Sequence, residues 1–276
     1  MAAVSQGLID FANHFRQPAA PGVEVVDMGS CVVTLQPDYP IPGPNSVSWI
    51  RCRAEEAGAL IDDARALFRP RRLPVMWILD PETEPGNFAD HLAARDVFPE
   101  AHSPEVAVMI LPAETRVEGP AVDGLDIRDA LADAESFRQA DAVNAEGFDH
   151  QPRDPAAQER RRRNQLAAGN RRVVLATVDG EPAGAAGLTL YPPAGAIING
   201  GAVRKKFRGR GVYRAMVAAR LAMAREAGVP GVSVWGGPMS KPILGRLGFE
   251  VVGWRRFYLD ESTLGNLPPP LGGGPG

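Results

Sequence analysis

An apolar stretch, Ala196 to Val203, runs into Arg204-Lys205-Lys206-Phe207-Arg208-Gly209-Arg210-Gly211-Val212-Tyr213, and an alanine-rich stretch follows to Ala227. The order predicts a strand, a basic glycine-containing loop and a helix. The loop amides and the first helical N–H groups have no partner inside the helix. The helix dipole adds about half a positive charge at the same place. Gly209 and Gly211 carry no Cβ, so an anion can come close to the backbone. Lys205, Lys206, Arg208 and Arg210 add formal charge around it. The expected guest is a phosphate or pyrophosphate. A Walker A loop would need Gly, four residues and then Gly-Lys-Ser/Thr, which the chain lacks. The dinucleotide fingerprint would need a third glycine where Arg214 stands.

Composition removes other classes. The 276 residues are enough for two domains, and a formal net charge of −3 gives no reason to expect nucleic acid or an anionic membrane. The two cysteines, Cys31 and Cys52, have no paired spacing and no histidine cluster nearby, so neither a disulfide framework nor a metal site is expected. A reducing, cytoplasmic compartment is the simpler reading. Asp10 interrupts the apolar start of the chain, while Val4, Leu8, Phe11 and Phe15 recur at helical spacing. That pattern predicts an amphipathic helix rather than a signal peptide. The long uncharged run from Pro182 to Val203 contains Pro192-Pro193. It reads as two strands joined at Tyr191–Gly195 rather than a membrane span. Lysine occurs only at 205, 206 and 241; the other 27 of the 30 basic residues are arginine. An arginine run therefore means less here, and Arg160 to Arg163 reads as a solvated helix face.

The C-terminal half divides into elements. Leu125 to Arg128 is an expected strand, Ala132 to Glu146 a helix, and Pro155 opens a second helix that ends near Gly169. Val173 to Val178 is a strand, Asp179-Gly180 a tight turn, and Ala183 to Leu190 the next strand. After the glycine-loop helix come a strand from Gly231 to Trp235, a short helix, and a pair of strands near Phe249–Gly253 and Arg255–Leu259. In the N-terminal half Arg53–Phe68 and Phe88–Arg95 read as helices, and Pro74–Leu79 and Val106–Leu111 as strands. A helix, a Trp-containing strand, a short helix and a Phe recur in both halves (Trp77 and Phe98, then Trp235 and Phe249). The recurrence is compatible with a degenerate second copy of one fold, and equally with an unrelated α/β domain.

The loop resembles motif A of the GCN5-related N-acetyltransferases (GNAT), Arg/Gln-x-x-Gly-x-Gly/Ala. Arg208 and Gly211 match its first two fixed positions, and Tyr213 stands where Gly or Ala is usual. Ser240-Lys241-Pro242-Ile243-Leu244-Gly245-Arg246-Leu247-Gly248-Phe249 resembles the family's C-terminal signature. The resemblance covers roughly Gly124 to Ser262. It implies an α/β (α+β) fold with a GNAT-type mixed central sheet and helices on both faces, plus a smaller α/β N-terminal domain. The expected boundaries are 1–112 for that domain, 113–123 for a linker, 124–262 for the acetyltransferase domain and 263–276 for a disordered Gly/Pro tail.

The resemblance also implies function. Acetyl-CoA would be the donor, as co-substrate and without a metal. A small-molecule or peptide amine would be the acceptor. Its pyrophosphate would sit on Arg208, Gly209, Arg210, Gly211, Val212 and Tyr213, and its pantetheine arm beside Gly201, Ala202 and Val203. Gly200-Gly201 suit a bulge that opens the sheet there. Glu146, Asp149 and His150 are the candidate bases. The tyrosine that commonly protonates the departing thiolate in this family is replaced by Leu244, which leaves Ser240, Tyr213 or a water as the acid. The alternative is a non-catalytic acyl-CoA-binding regulatory module. The sequence is compatible with a homodimer and fixes neither oligomeric state nor acceptor.

Overall fold

The computed structural model describes residues 4–118, 121–149 and 153–265. The chain forms two compact units, one from residues 1–21 and 106–253, the other from residues 22–105 and 254–276. The first element, α1 (Gln6–His14), belongs to the larger unit and is capped by Ser5, whose side chain accepts from the Leu8 N–H. Its heptad-like apolar stripe works as read: Leu8 and Phe11 are buried with Val108 and Ile110.

The smaller unit contains β1 (Glu24–Asp27), β2 (Val32–Leu35), β3 (Ser46–Ser48), α2 (Ala57–Phe68), β4 (Val75–Leu79), α3 (Phe88–Ala93) and β5 (Phe98–Pro99). β1, β2 and β3 are antiparallel neighbours, and β4 lies parallel to β3. Ile61, Phe68, Val75, Trp77, Leu79 and Phe88 form its core. Asp260 is buried there as a carboxylate. Its Oδ2 accepts from Arg65 Nε at 2.7 Å and Trp77 Nε1 at 3.2 Å, and its Oδ1 from Ser262 Oγ at 2.6 Å. Burial alone would raise the Asp260 carboxyl. The hydrogen bonds from Arg65 and Ser262, the Arg65 charge and the Trp77 hydrogen bond outweigh it, and the net shift is downward.

The larger unit continues with β6 (Glu105–Pro112), β7 (Leu125–Asp129), α4 (Ala134–Gly147), α5 (Pro155–Ala168), β8 (Arg171–Val178), β9 (Glu181–Tyr191), β10 (Gly195–Val203), α6 (Val212–Glu226), β11 (Gly231–Gly236), α7 (Lys241–Arg246) and β12 (Glu250–Asp260). Its strand order is β6-β11-β10-β9-β8-β7, with β10 and β11 parallel and the other pairs antiparallel. Side chains alternate across a strand, so each face of the sheet needs its own cover. Val212, Met216 and Val217 of α6 cover one face, and Phe137, Ala140 and Val143 of α4 pack with Ala185 and Ala202 on the other.

Two expectations differ from this. The last strand pair is one continuous strand, β12, with Gly253 inside it, and its residues divide between the two units. The units also cut the chain elsewhere than at 112 and 124. Residues 106–112 join the larger unit because they pair with β11, and α1 joins it by burial against Val108 and Ile110. Proline and glycine mark where a chain turns, whereas pairing and burial decide which unit it joins. The Gly/Pro tail from 266 onward and His150 lie outside the described residues.

Candidate active site

The site begins with a break in regular pairing. β10 faces β9 with Asn199 opposite Gly187 and then Ala202 opposite Ala185, so β10 carries one extra residue between them. This is the bulge expected at Gly200-Gly201, with Gly200 at φ +58. On its other side β10 is in register with β11 at Ala196–Val232 and Ile197–Ser233, and the ladder stops there. The two strands are unpaired beyond it, so the C-terminal half of β10 presents an edge inside the sheet. Gly201 is needed for packing as well: a Cβ there would lie 2.9 Å from the Tyr213 ring.

Beyond Val203 the chain makes one 3-10 turn, Lys205–Phe207, with Phe207 buried beneath it. Arg208 folds back, its Nε donating to the Val203 carbonyl at 3.0 Å. Gly209 and Gly211 adopt φ +75 and +90, which side-chain-bearing residues rarely hold. Gly211 is the N-cap of α6 and supplies no side-chain cap, in contrast to Ser5, Asp133 and Asp154 at α1, α4 and α5. The helix ladder starts with Ala215 N–H to Gly211 O at 3.0 Å, so the N–H groups of Val212, Tyr213 and Arg214 precede it. Around them stand the basic side chains. Lys206 and Arg210 lie 5.2 and 5.5 Å from the Phe207 ring centroid, and Lys206 also pairs with Glu181. Arg204 Nε is 2.9 Å from Glu146 Oε2. Glu146, Glu181, Arg204, Lys205 and Lys206 line an open pocket of about 330 Å³.

The expected catalytic residues are less gathered. Glu146 reaches the start of the loop but is paired with Arg204 there. Asp149 is exposed, with φ +53. Ser240 precedes α7, its Oγ 3.5 Å from the Gly237 carbonyl. Leu244 is fully buried among Met109, Val234 and Phe249 and is plainly a packing residue.

Sequence reading missed Arg220. Its side chain is buried under the bulge, with Nε donating to Met216 O at 3.0 Å and Nη1 to Gly187 O at 3.3 Å. Nη2 is buried without a hydrogen-bond partner, 3.8 Å from where a Gly201 Cβ would stand. Burial pushes Arg220 down to about 10, opposed by Tyr213, and burial raises the Tyr213 phenol. A signal existed: Tyr213, Val217, Arg220 and Ala224 share the helical stripe that faces the sheet.

The smaller unit repeats the strand, turn, helix and parallel strand as β3, residues 49–56, α2 and β4. There the chain uses up its own backbone groups. Cys52 N–H donates to Glu84 O at 3.1 Å, and Glu84 N–H to Ile50 O at 3.0 Å. The entry to its helix carries Glu55 and Glu56, with Glu56 bonded to Arg53. An acidic entry of this kind repels an anion, in contrast to the basic entry of α6.

Comparison with known proteins agrees with the geometry. Residues 135–240 match the model of the acetyltransferase (GNAT) family. That family is one of acetyltransferases. No curated protein sequence matches the chain. Among solved structures it is similar to a GCN5-related N-acetyltransferase from Kribbella flavida, at 18% identity and TM-score 0.63 over 92% of this chain and 91% of that one. It is also similar to a conserved protein of unknown function from Staphylococcus epidermidis ATCC 12228 (13%, TM-score 0.66, 93% and 99%). A tandem GNAT protein from the clavulanic acid biosynthesis pathway aligns at 19% identity and TM-score 0.56 over 87% of this chain and 84% of that one. At such identities these likenesses establish the fold: a GNAT-type arrangement extends over most of the chain.

Proposed function

We propose that this protein transfers an acetyl group from acetyl-CoA to an amine of a small molecule or peptide, directly, within a ternary complex. The observation that carries the reading is the uncapped entry of α6 behind its basic loop, set directly after a bulged strand whose ladder with β11 has ended. A diphosphate fits the first feature, through the N–H groups of Val212 and Tyr213 and the charges of Arg208 and Arg210. An extended pantetheine arm fits the second, because the edge of β10 at Gly201–Val203 offers backbone partners.

In the reaction the amine nitrogen attacks the thioester carbon, and the C–S bond then breaks to release CoA. An alkyl amine with pKa near ~10.4 arrives as ammonium at neutral pH and must first lose a proton. Glu146, Asp149, His150 or a water receives it. Glu146 is engaged by Arg204 as placed and would have to leave that contact to take a proton. Backbone N–H groups at 201–203 stabilise the oxyanion of the tetrahedral intermediate. A thiolate with pKa near ~8.5 leaves at pH 7 at a cost of about 2 kcal/mol, which Ser240, Tyr213 or a water offsets by protonation.

The buried Leu244 favours a second reading, a module that binds acyl-CoA without turnover. Calorimetry with CoA and a thiol-release assay with acetyl-CoA and a panel of amines separate the cases. Binding with amine-dependent release is the expected result. Binding without release supports the module, and no heat on adding CoA sinks both.

A further inference from the structure

The helix behind the glycine loop carries a charge into the interior. Tyr213, Val217, Arg220 and Ala224 share the stripe of α6 that packs on the sheet, and Arg220 is 1% exposed there. An arginine is rarely buried so fully without a carboxylate. Two of its guanidinium nitrogens donate to backbone. Nε bonds to Met216 O at 3.0 Å, which ties the side chain to its own helix, and Nη1 to Gly187 O at 3.3 Å, which ties it to β9. Nη2 has no hydrogen-bond partner, and no carboxylate pairs with the guanidinium among the described residues. Such a cation is costly to keep in a core. Its place in the fold shows what it faces. A Cβ on Gly201 would stand 3.8 Å from Nη2 and 2.9 Å from Cε2 of the Tyr213 ring. Guanidinium and phenol ring therefore converge beneath one peptide of β10.

That peptide belongs to the bulge. Gly201 lies between Asn199, opposite Gly187, and Ala202, opposite Ala185, and it is past the last rung with β11 at Ile197–Ser233. It is thus part of the free edge beside which the proposed thioester would lie. The two side chains beneath it have matched chemistry. Burial raises the Tyr213 phenol, so it keeps its proton at neutral pH, and the Arg220 charge opposes that shift because a cation favours the phenolate. Burial pushes Arg220 down to about 10, still a cation at pH 7. A neutral phenol beside a fixed positive charge can give up its proton and have the resulting anion stabilised where it forms. On α7 the corresponding place is closed, since Leu244 is fully buried and carries no proton to give.

From these observations we infer that Arg220 is a positioning residue for acyl transfer: it holds the Tyr213 phenol beneath Gly201 and stabilises the phenolate left when Tyr213 protonates the departing CoA thiolate. The inference rests on the acetyltransferase reading above and adds the acid and the group that controls it. The step balances. The C–S bond breaks and its electron pair goes to sulfur. The phenol O–H bond breaks and its proton goes to the same sulfur, which leaves as a thiol. The phenolate then regains a proton from water, which takes up the one the amine released. In this scheme Tyr213 touches the leaving group and Arg220 acts through it.

The test measures thiol release from acetyl-CoA with the best amine of the panel. Tyr213→Phe keeps the ring that packs under Gly201 and removes only the acidic proton. Its kcat should fall about tenfold or more, with KM for acetyl-CoA and the melting temperature unchanged. A ring-fluorinated tyrosine in place of Tyr213, a stronger acid of similar shape, should keep turnover and move the high-pH limb of kcat to lower pH, which a packing role would not do. Arg220→Gln should lower kcat by a similar factor whether or not it also melts lower, and Arg220→Lys should restore part of it. The double variant separates the roles. With Tyr213→Phe in place, Arg220→Gln should cause no further loss of kcat, because the guanidinium acts through the phenol. Full kcat in Tyr213→Phe, an unmoved pH limb in the fluorinated protein, or losses that multiply in the double variant overturn the inference while leaving the acetyltransferase reading intact. Absence of release with every amine in the wild type overturns that reading itself, and this inference with it.

Discussion

At the scale of single residues, burial decides which chemical groups are used. Cys31 is buried and its thiol is pushed up to about 12, by burial first and then by Cys52 and Asp27. Burial also raises the Cys52 thiol, with Glu56 adding to the shift. Reaction requires thiolate, so both should be slow at pH 8. Treatment of the native protein with iodoacetamide at that pH should leave Cys31 unmodified, and unfolding in guanidinium should expose both to mass-detected labelling. Fast modification of native Cys31 would contradict the burial described. Arg220 makes the same point from the opposite side. Among 27 arginines only its place on the apolar stripe of α6 marks this one, and the partners of its guanidinium appear once the helix is laid on the sheet. Arg171 is the second instance, because its neighbours Thr189 and Asn199 come from other strands.

At the scale of elements, the turn from β10 to α6 was legible because its requirements are local. Two glycines, four basic side chains and a helix without a capping side chain all lie within ten residues. The residues that would polarise a thioester, 201–203, follow from the same short stretch and its bulge. The expected bases did not gather as cleanly, since their positions depend on how α4 ends against β10. The element yields a prediction. Arg210→Glu reverses an exposed charge and should weaken CoA binding about tenfold or more by calorimetry, with an unchanged melting temperature. Gly211→Glu should abolish binding, but at φ +90 it also adds about 1–3 kcal/mol of backbone strain and should melt lower. Retained CoA affinity in both variants would place the diphosphate elsewhere.

At the scale of the whole molecule, the smaller unit closes around a buried ion pair whose two ends lie far apart in sequence. The core of the smaller unit encloses the Asp260 carboxylate with Arg65 and Trp77. Asp260→Asn leaves the Arg65 guanidinium buried without its counter-charge, and should cost about 3–5 kcal/mol in denaturant unfolding at pH 7. Loss of less than about 1 kcal/mol would mean the pair is solvated. The pH dependence has a defined sign. The folded Asp260 pKa is depressed, so its contribution is complete above the unfolded value near ~3.9 and fades as pH falls through the lower folded value. Acid unfolding followed by circular dichroism should therefore weaken the wild type below about pH 4, and Asp260→Asn should lack that component of the transition.

What the sequence determined by itself was whatever a few neighbouring residues dictate: the two strands around Tyr191–Gly195, the bulge at Gly200, the bare start of α6, and through them the resemblance to the GNAT family over residues 135–240. Tertiary structure alone decided which residues share a unit and which polar groups share a face. Pairing draws 106–112 to β11 and the end of β12 to the smaller unit, across separations that local composition cannot register. The meeting of Arg171 with Asn199 over Gly187 has the same origin: three strands must lie side by side before one absent Cβ becomes a place for two side chains.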